Sequence, residues 1–321
     1  MKPAARPWPA RARVRATHTI YGEQPQRVGR FSSIRLDVKR ITKLIISLLY
    51  FLVRGLLRSV LRLTGRRPDG RLVILYYHGI PDPYRSNFVR QLEAIRRGAL
   101  VLPASHRGRL PSGKTNVAIT FDDAYVTVAE NALPELASRG FHSTIFVPVE
   151  SLGSRPAWAM EDGSPDSQET VMSAEQIKKL ACVLVSVGSH SCTHPRLSRL
   201  ALGDAQSEIA GSRIKLQNLT KQDVRLFAFP YGDHDASTIE LCRTAGFEYV
   251  FSTSPSPVDT SGSAFVRGRV KVDPFDGPLE FFLKFNGAYA WAPYVSLWMK
   301  KLRGHKQNWS ASPTSPKQFI S

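Results

Sequence analysis

Short, nearly unbroken apolar runs recur from residue 72 onward: Leu72-Val73-Ile74-Leu75-Tyr76-Tyr77, Val117-Ala118-Ile119-Thr120-Phe121, then residues 143–147, 183–187 and 224–229. Runs of this length, rich in β-branched and aromatic residues, suit strands buried on both faces. Between them lie segments of helical spacing at 88–97, 133–139, 173–181, 201–219 and 236–245. Their ends carry the expected signals. Ser173-Ala174-Glu175-Gln176 is a capping-box pattern, Pro134 falls in a first turn, and Gly140 and Gly246 follow helices as C′ residues. Residues 249–252 and 265–272 supply two more candidate strands. Strand and helix alternate throughout, which predicts an α/β protein with ligands at the C-terminal ends of parallel strands. About seven strands favour an incomplete (β/α)7 barrel.

Residues 35–63 follow another pattern. Taken as one helix, Arg40, Lys43, Ser47, Arg54, Arg58 and Arg62 share a face, and the other faces are mostly Leu, Ile, Val, Phe and Tyr. An apolar helix with a basic stripe predicts a segment lying in a membrane interface. The charge-free run from 44 to 53 is about half of the ~20 residues a span needs. A helix packed on the body's own core, a span, or a signal with Arg40 and Lys43 as its basic start are the alternatives. Residues 1–34, rich in Arg, Pro and Ala, read as a disordered basic arm, and 64–70 as a linker. The barrel is expected over 71–280. An aromatic helix over 281–303 either closes it or forms a second membrane-facing or sugar-stacking surface, and a loose tail follows over 304–321.

Charge sharpens this division. The 321-residue chain carries a net +18, but residues 1–71 hold 17 Lys and Arg against 3 acids, and residues 72–321 hold 27 against 23. The basic character belongs to the N-terminal arm. A nearly balanced body argues against a nucleic-acid-binding catalytic face and for an arm that meets something anionic. Three cysteines, Cys182, Cys192 and Cys242, give no CxxC pair and no disulfide framework.

The candidate chemistry starts at Asp122-Asp123, which ends the run 117–121. Adjacent carboxylates at a strand's C-terminal end are costly unless a cation or a proton separates their charges. Downstream, His190-Ser191-Cys192-Thr193-His194 places two imidazoles at i and i+4. On a helical turn these share one face and suit a single metal. Cys192 reads as a small filler between them. The alternatives are an N-cap role for the aspartates, ahead of a helix near Ala124, and a packing role for the histidines. His78, ending the run 72–77, is either structural or a proton donor.

In order and position these motifs resemble the polysaccharide deacetylase, or NodB-homology, family of carbohydrate esterases. Thr120-Phe121-Asp122-Asp123, His190-Ser191-Cys192-Thr193-His194, Phe227-Ala228-Phe229-Pro230-Tyr231-Gly232 and Tyr77-His78-Gly79 carry the resemblance, which covers residues 71 to 272. It implies Asp123, His190 and His194 as ligands of a divalent metal, usually zinc. It implies Asp122 as catalytic base and an oxyanion contact at Pro230-Tyr231 through the Tyr231 backbone N–H. The implied reaction is deacetylation of N-acetylated sugars in a bacterial glycan. Two family features are missing: an arginine that orients the base, replaced by Ala228, and a late histidine, absent from residues 266–272. The general acid is therefore open between His78 and Asp122. The rival functions are O-deacetylation, a catalytically silent glycan-binding homologue, and an anionic-polymer-binding protein using the basic arm.

Overall fold

The computed structural model describes residues 38–65, 70–113, 115–160, 163–180, 184–258 and 264–295. The expected arm over 1–34, the tail over 304–321 and Cys182 lie outside the described residues. The strands are β1 (Leu72–Tyr77), β2 (Ala99–Val101), β3 (Thr115–Phe121), β4 (Ser143–Val147), β5 (Val185–Ser189), β6 (Leu226–Ala228), β7 (Tyr249–Phe251), β8 (Val266–Arg267) and β9 (Val270–Lys271). The helices are α1 (Val38–Leu63), α2 (Arg85–Gly98), α3 (Leu133–Ser138), α4 (Ala174–Leu180), α5 (Leu202–Thr220), α6 (Ala236–Thr244) and α7 (Pro278–Phe285). The sheet runs β8-β7-β6-β5-β4-β3-β1-β9, with β2 paired beside β3, and every ladder is parallel. It curls into an incomplete barrel, as expected.

Alternation along each strand builds two cores. Leu72, Ile74, Ala118, Phe146, Leu226, Ala228, Tyr249 and Phe251 form one cluster, the barrel interior. Val73, Leu75, Tyr77, Val117, Ile119, Phe121, Ile145, Val147, Phe227 and Val250 belong to the larger cluster shared with the surrounding helices. The capping box at α4 is present: Gln176 N–H donates to Ser173 Oγ (3.3 Å), and Ser173 N–H donates to Gln176 Oε1 (2.8 Å).

The closure of the barrel differs from the sequence expectation of one strand over 265–272. β8 pairs with β7 and β9 pairs with β1, so Gly268 and Arg269 cross from one sheet edge to the other. Gly268 makes that crossing against the backbone of Ser254 and Ser256. A Cβ there would lie 2.7 Å from Ser256 O, too close for any side chain.

The aromatic C-terminal segment also departs from a single helix. α7 ends at Phe285, where Gly287 takes φ 68° and the Ala288 N–H returns to Leu283 O at 2.9 Å. This is a glycine-terminated stop.

α1 lies against this segment with its polar stripe inward. Arg40 binds Glu280 (2.8 and 2.6 Å), and the indole N–H of Trp291 donates to the buried Ser47 hydroxyl (2.9 Å). Arg54 donates to the carbonyls of Asn286 and Gly287, and Phe51 meets Phe282 edge-on. Ile45, Ile46, Leu49, Leu52, Val53, Leu56, Leu57 and Val60 are exposed. An interfacial helix would be expected to turn its cations to the headgroups. Here several of them face the barrel.

Candidate active site

β3 delivers Asp122 and Asp123 to the C-terminal rim, and the Asp122 N–H extends the β1 ladder by bonding Tyr77 O (2.9 Å). β5 does the same for His190, whose N–H donates to Val147 O (2.9 Å). The backbone then leaves ordinary geometry. Asp123, Ala124, Ser191, His194 and Tyr231 all have φ between 51° and 66°; among the described non-glycine residues only Lys221 does so elsewhere. Left-handed residues of this kind cost about 1–3 kcal/mol each and concentrate where a site over-determines the chain.

The histidine pair converges, but not on a helix. Residues 190–194 form a loop, and the left-handed turns at Ser191 and His194 replace the expected helical face. Hydrogen bonds lock it. Glu208 of α5 accepts from the Cys192 N–H (2.8 Å), the Thr193 N–H (2.9 Å) and the Thr193 hydroxyl (2.7 Å). The Ser191 hydroxyl oxygen accepts from the His194 N–H (3.0 Å). Cys192 is buried beside α5, with Sγ 4.0 Å from Ser207 O.

Asp123, His190 and His194 are all buried and offer donor atoms within 4.8 Å of one another. Asp123 Oδ1 lies 3.7 Å from His190 Nε2 and 3.4 Å from His194 Nε2. His190 Nδ1 is 2.7 Å from Ala228 O. A carbonyl can only accept, so Nδ1 carries the proton and the Nε2 lone pair faces the site. Trp158 packs on the His194 ring at 4.4 Å, and Tyr231 meets its edge at 4.7 Å.

The electrostatics of this group fit a divalent cation. Burial above all drives the His190 pKa down to about 4 and that of His194 down to about 2, so both imidazoles are neutral. Burial, and then the adjacent Asp122 charge, pushes the Asp123 carboxyl well up. Asp123 Oδ1 and His194 Nδ1 are buried without a hydrogen-bond partner. Two neutral nitrogens and one strained carboxylate form a donor set for zinc-like ions.

Asp122 is held separately. Arg269 binds it bidentately, with Nη1 to Oδ1 at 2.6 Å and Nη2 to Oδ2 at 2.8 Å. Arg269 is itself fully buried, stands over the Tyr76 ring (4.7 Å) and bonds Ser252 O and Thr120 Oγ1. Burial pushes the Asp122 carboxyl up, but Arg269 and then His190 outweigh it and hold the carboxyl below its usual range. An arginine absent at position 228 is thus supplied to Asp122 from the barrel-closing crossing.

His78 lies beside the triad, with Nε2 4.0 Å from Asp123 Oδ2, and is part-exposed. It lines a cavity of about 250 Å³ together with Tyr84, Asp166, Lys271, Asp273 and Phe275. Pro230 is buried. Tyr231 is held by its hydroxyl, which donates to Ala159 O (3.1 Å), and by Arg196 stacked over its ring. All seven residues singled out from the sequence thus lie at one end of the barrel, after β1, β3, β5 and β6. Arg269, Glu208 and Trp158 were missed. A signal for Arg269 did exist: Arg267 and Arg269 alternate with Val266, Gly268 and Val270, which places two arginines on one face of an apolar run.

A parallel α/β barrel with two imidazoles and a carboxylate gathered at its strand ends offers a group that could hold a divalent metal. Comparison with known proteins narrows the reading. The polysaccharide deacetylase family profile matches residues 109–250. YxkH of Bacillus subtilis (strain 168), whose name assigns it provisionally to the polysaccharide deacetylases, is 28% identical over 164 residues, covering 51% of this chain and 53% of YxkH. The chain thus spans about half the length of that curated relative. The structure of IcaB from Ammonifex degensii superposes with a TM-score of 0.57 at 28% identity, over 70% of this chain and 99% of IcaB. The Streptococcus pyogenes deacetylase PplD, solved in complex with acetate, shares the fold with a TM-score of 0.56 at 20% identity, over 68% and 99% of the two chains. Over these residues the barrel is similar to the polysaccharide deacetylases, the NodB-homology carbohydrate esterases.

The loop anchor yields a prediction. Glu208→Ala frees the 190–194 loop without touching a metal-facing atom. Loss of such a supporting contact is expected to weaken zinc affinity about 10–100-fold, measured by competition with a chromophoric chelator.

Proposed function

We propose that the chain is a metal-dependent hydrolase that removes acetyl groups from N-acetylated sugars of a bacterial polysaccharide or oligosaccharide, releasing acetate. The observation that carries this is the pairing of a buried Asp123-His190-His194 group with a separate Asp122 clamped by Arg269. Zinc or a similar ion bound there would polarise the acetyl carbonyl and lower the pKa of water. Asp123, His190 and His194 would hold it, and Asp122 would remain free of it.

Asp122 takes the proton of the attacking water. Each of its oxygens already accepts one N–H from Arg269 and keeps lone-pair capacity, so the carboxylate plane is fixed while it acts. The Tyr231 backbone N–H, in the turn started by Pro230, offers a donor to the developing oxyanion. His78, part-exposed beside the triad, donates a proton to the leaving sugar nitrogen, and the proton taken by Asp122 is passed back through solvent to replace it. The exposed part of Trp158 gives an apolar surface for a pyranose ring. The products are acetate and a free amine. Arg269 gives Asp122 a guanidinium partner, which favours an enzyme over a silent glycan-binding homologue.

α1 is the membrane element of this reading. It is 26 residues long, contains an 18-residue stretch of mean hydropathy 1.9, is long and apolar enough to cross a membrane, and exposes its apolar faces. The test of substrate class is acetate release from matched N-acetylated and O-acetylated oligosaccharides by the zinc-loaded chain. The proposal expects new primary amines equal in number to the acetates released. Acetate from the O-acetyl series alone would move the assignment to an ester hydrolase.

A further inference from the structure

A second cavity, of about 80 Å³, lies at the opposite end of the barrel. Arg54, Arg58, Arg62 and Arg71 line it, with Gly70, Val73, Thr115, Pro257 and Asn286. Val73 and Thr115 sit near the starts of β1 and β3, whose far ends carry His78 and Asp122. A strand of six residues spans about 20 Å, so this cavity is separate from the catalytic rim.

Arg54, Arg58 and Arg62 recur every fourth residue on one face of α1, and Arg71 joins them from the start of the barrel. Among the described residues no carboxylate lies within ion-pair distance of any of the four, whereas Arg40 on the same helix is paired with Glu280. Arg54 is committed to the Asn286 and Gly287 carbonyls. Burial first, and then the neighbouring Arg58 charge, lowers its pKa to about 10; Arg58 is lowered likewise by burial, Arg71 and Arg62. Like charges packed around a partly enclosed space are unfavourable until an anion enters it. Arginine forks match phosphate oxygens bidentately. The same helix exposes Leu52, Val53, Leu56, Leu57, Val60 and Leu61.

We infer that this cavity binds a phosphate group, of the chemistry shared by anionic phospholipid headgroups and free phosphate. The apolar side of α1 would then enter the acyl region while its arginines grip the headgroup. The lipid source rests on the membrane reading of α1. The phosphate site itself does not, and neither depends on the deacetylase assignment.

The test uses the full chain in a neutral detergent. Binding of inorganic phosphate and of glycerol phosphate is measured by calorimetry, and binding to phosphatidylcholine vesicles with and without phosphatidylglycerol by flotation. The comparison is wild type against Arg58→Gln/Arg71→Gln, with Lys43→Gln as a control for charge on the same helix outside the cavity. Each cavity arginine removed is expected to weaken binding to phosphatidylglycerol vesicles by more than the about fivefold that any basic residue near the surface contributes, and Lys43→Gln by no more than that. Saturable binding of the soluble phosphates, lost in the double variant, supports the site with free phosphate as a sufficient ligand. Arginine-dependent vesicle binding without soluble phosphate binding supports the headgroup as the source. Cavity variants that match wild type in both assays, or lose no more than Lys43→Gln, overturn the inference. If circular dichroism shows the double variant unfolded, Arg62→Gln, at the exposed lip, is read by the same criteria. Acetate release from a soluble oligosaccharide is expected to stay at the wild-type rate in these variants, which separates failure here from failure of the catalytic proposal.

Discussion

Replacing Arg269 with methionine is expected to destabilise the folded chain by about 3–5 kcal/mol, because it leaves Asp122 as a buried charge without its partner. Asp122 is 3% exposed and both of its oxygens are bound by this one guanidinium. For a domain of this size the loss corresponds to a fall in Tm of roughly 6–20 °C. Arg269→Lys keeps a charge but not the fork, and should recover part of the stability and little of the rate. The double change Arg269→Met/Asp122→Asn removes both charges. It should be more stable than Arg269→Met alone, because no uncompensated carboxylate remains. Thermal melts of the four proteins decide this. If Arg269→Met melts with wild type, the ion pair does not hold the site together.

The second large effect concerns the triad. His190→Ala removes the imidazole whose Nδ1 is tied to Ala228 O, and is expected to abolish stoichiometric zinc binding. Loss of the cation's electrostatic contribution, several kcal/mol, should lower acetate release by about 10³-fold or more. Chelator treatment of wild type should reach the same low rate, and added zinc or cobalt should restore wild type but not His190→Ala. The paired measurements are bound metal by mass spectrometry and acetate release. A variant that keeps one zinc per chain and a near-normal rate would remove His190 from the proposed ligand set.

What could be read from the sequence follows the range of the interactions concerned. β3 was legible because its apolar run and terminal aspartates are contiguous. The α4 capping box was legible because Ser173 and Gln176 answer each other within one turn. The identities of His190 and His194 were legible, but their geometry was not. A spacing of four suggested a helix, whereas Glu208, distant in sequence, pins a loop with two left-handed residues. Arg269 escaped because its role exists only after the two sheet edges have met across Gly268. The direction of α1 escaped for a similar reason. Its periodicity defines a polar stripe but not which side meets the body, and that is decided by Glu280, Trp291 and the carbonyls after α7.

Asp122→Asn tests the account's central claim most directly. The substitution keeps the size of the side chain and leaves Asp123, His190 and His194 in place, while removing the group proposed to take the proton from water. Zinc content and acetate release from N-acetylglucosamine oligomers should be recorded on the same sample as wild type. The account predicts a variant that holds zinc as wild type does and loses about 10²–10⁴-fold in rate. A zinc-loaded variant that releases acetate at the wild-type rate would contradict it.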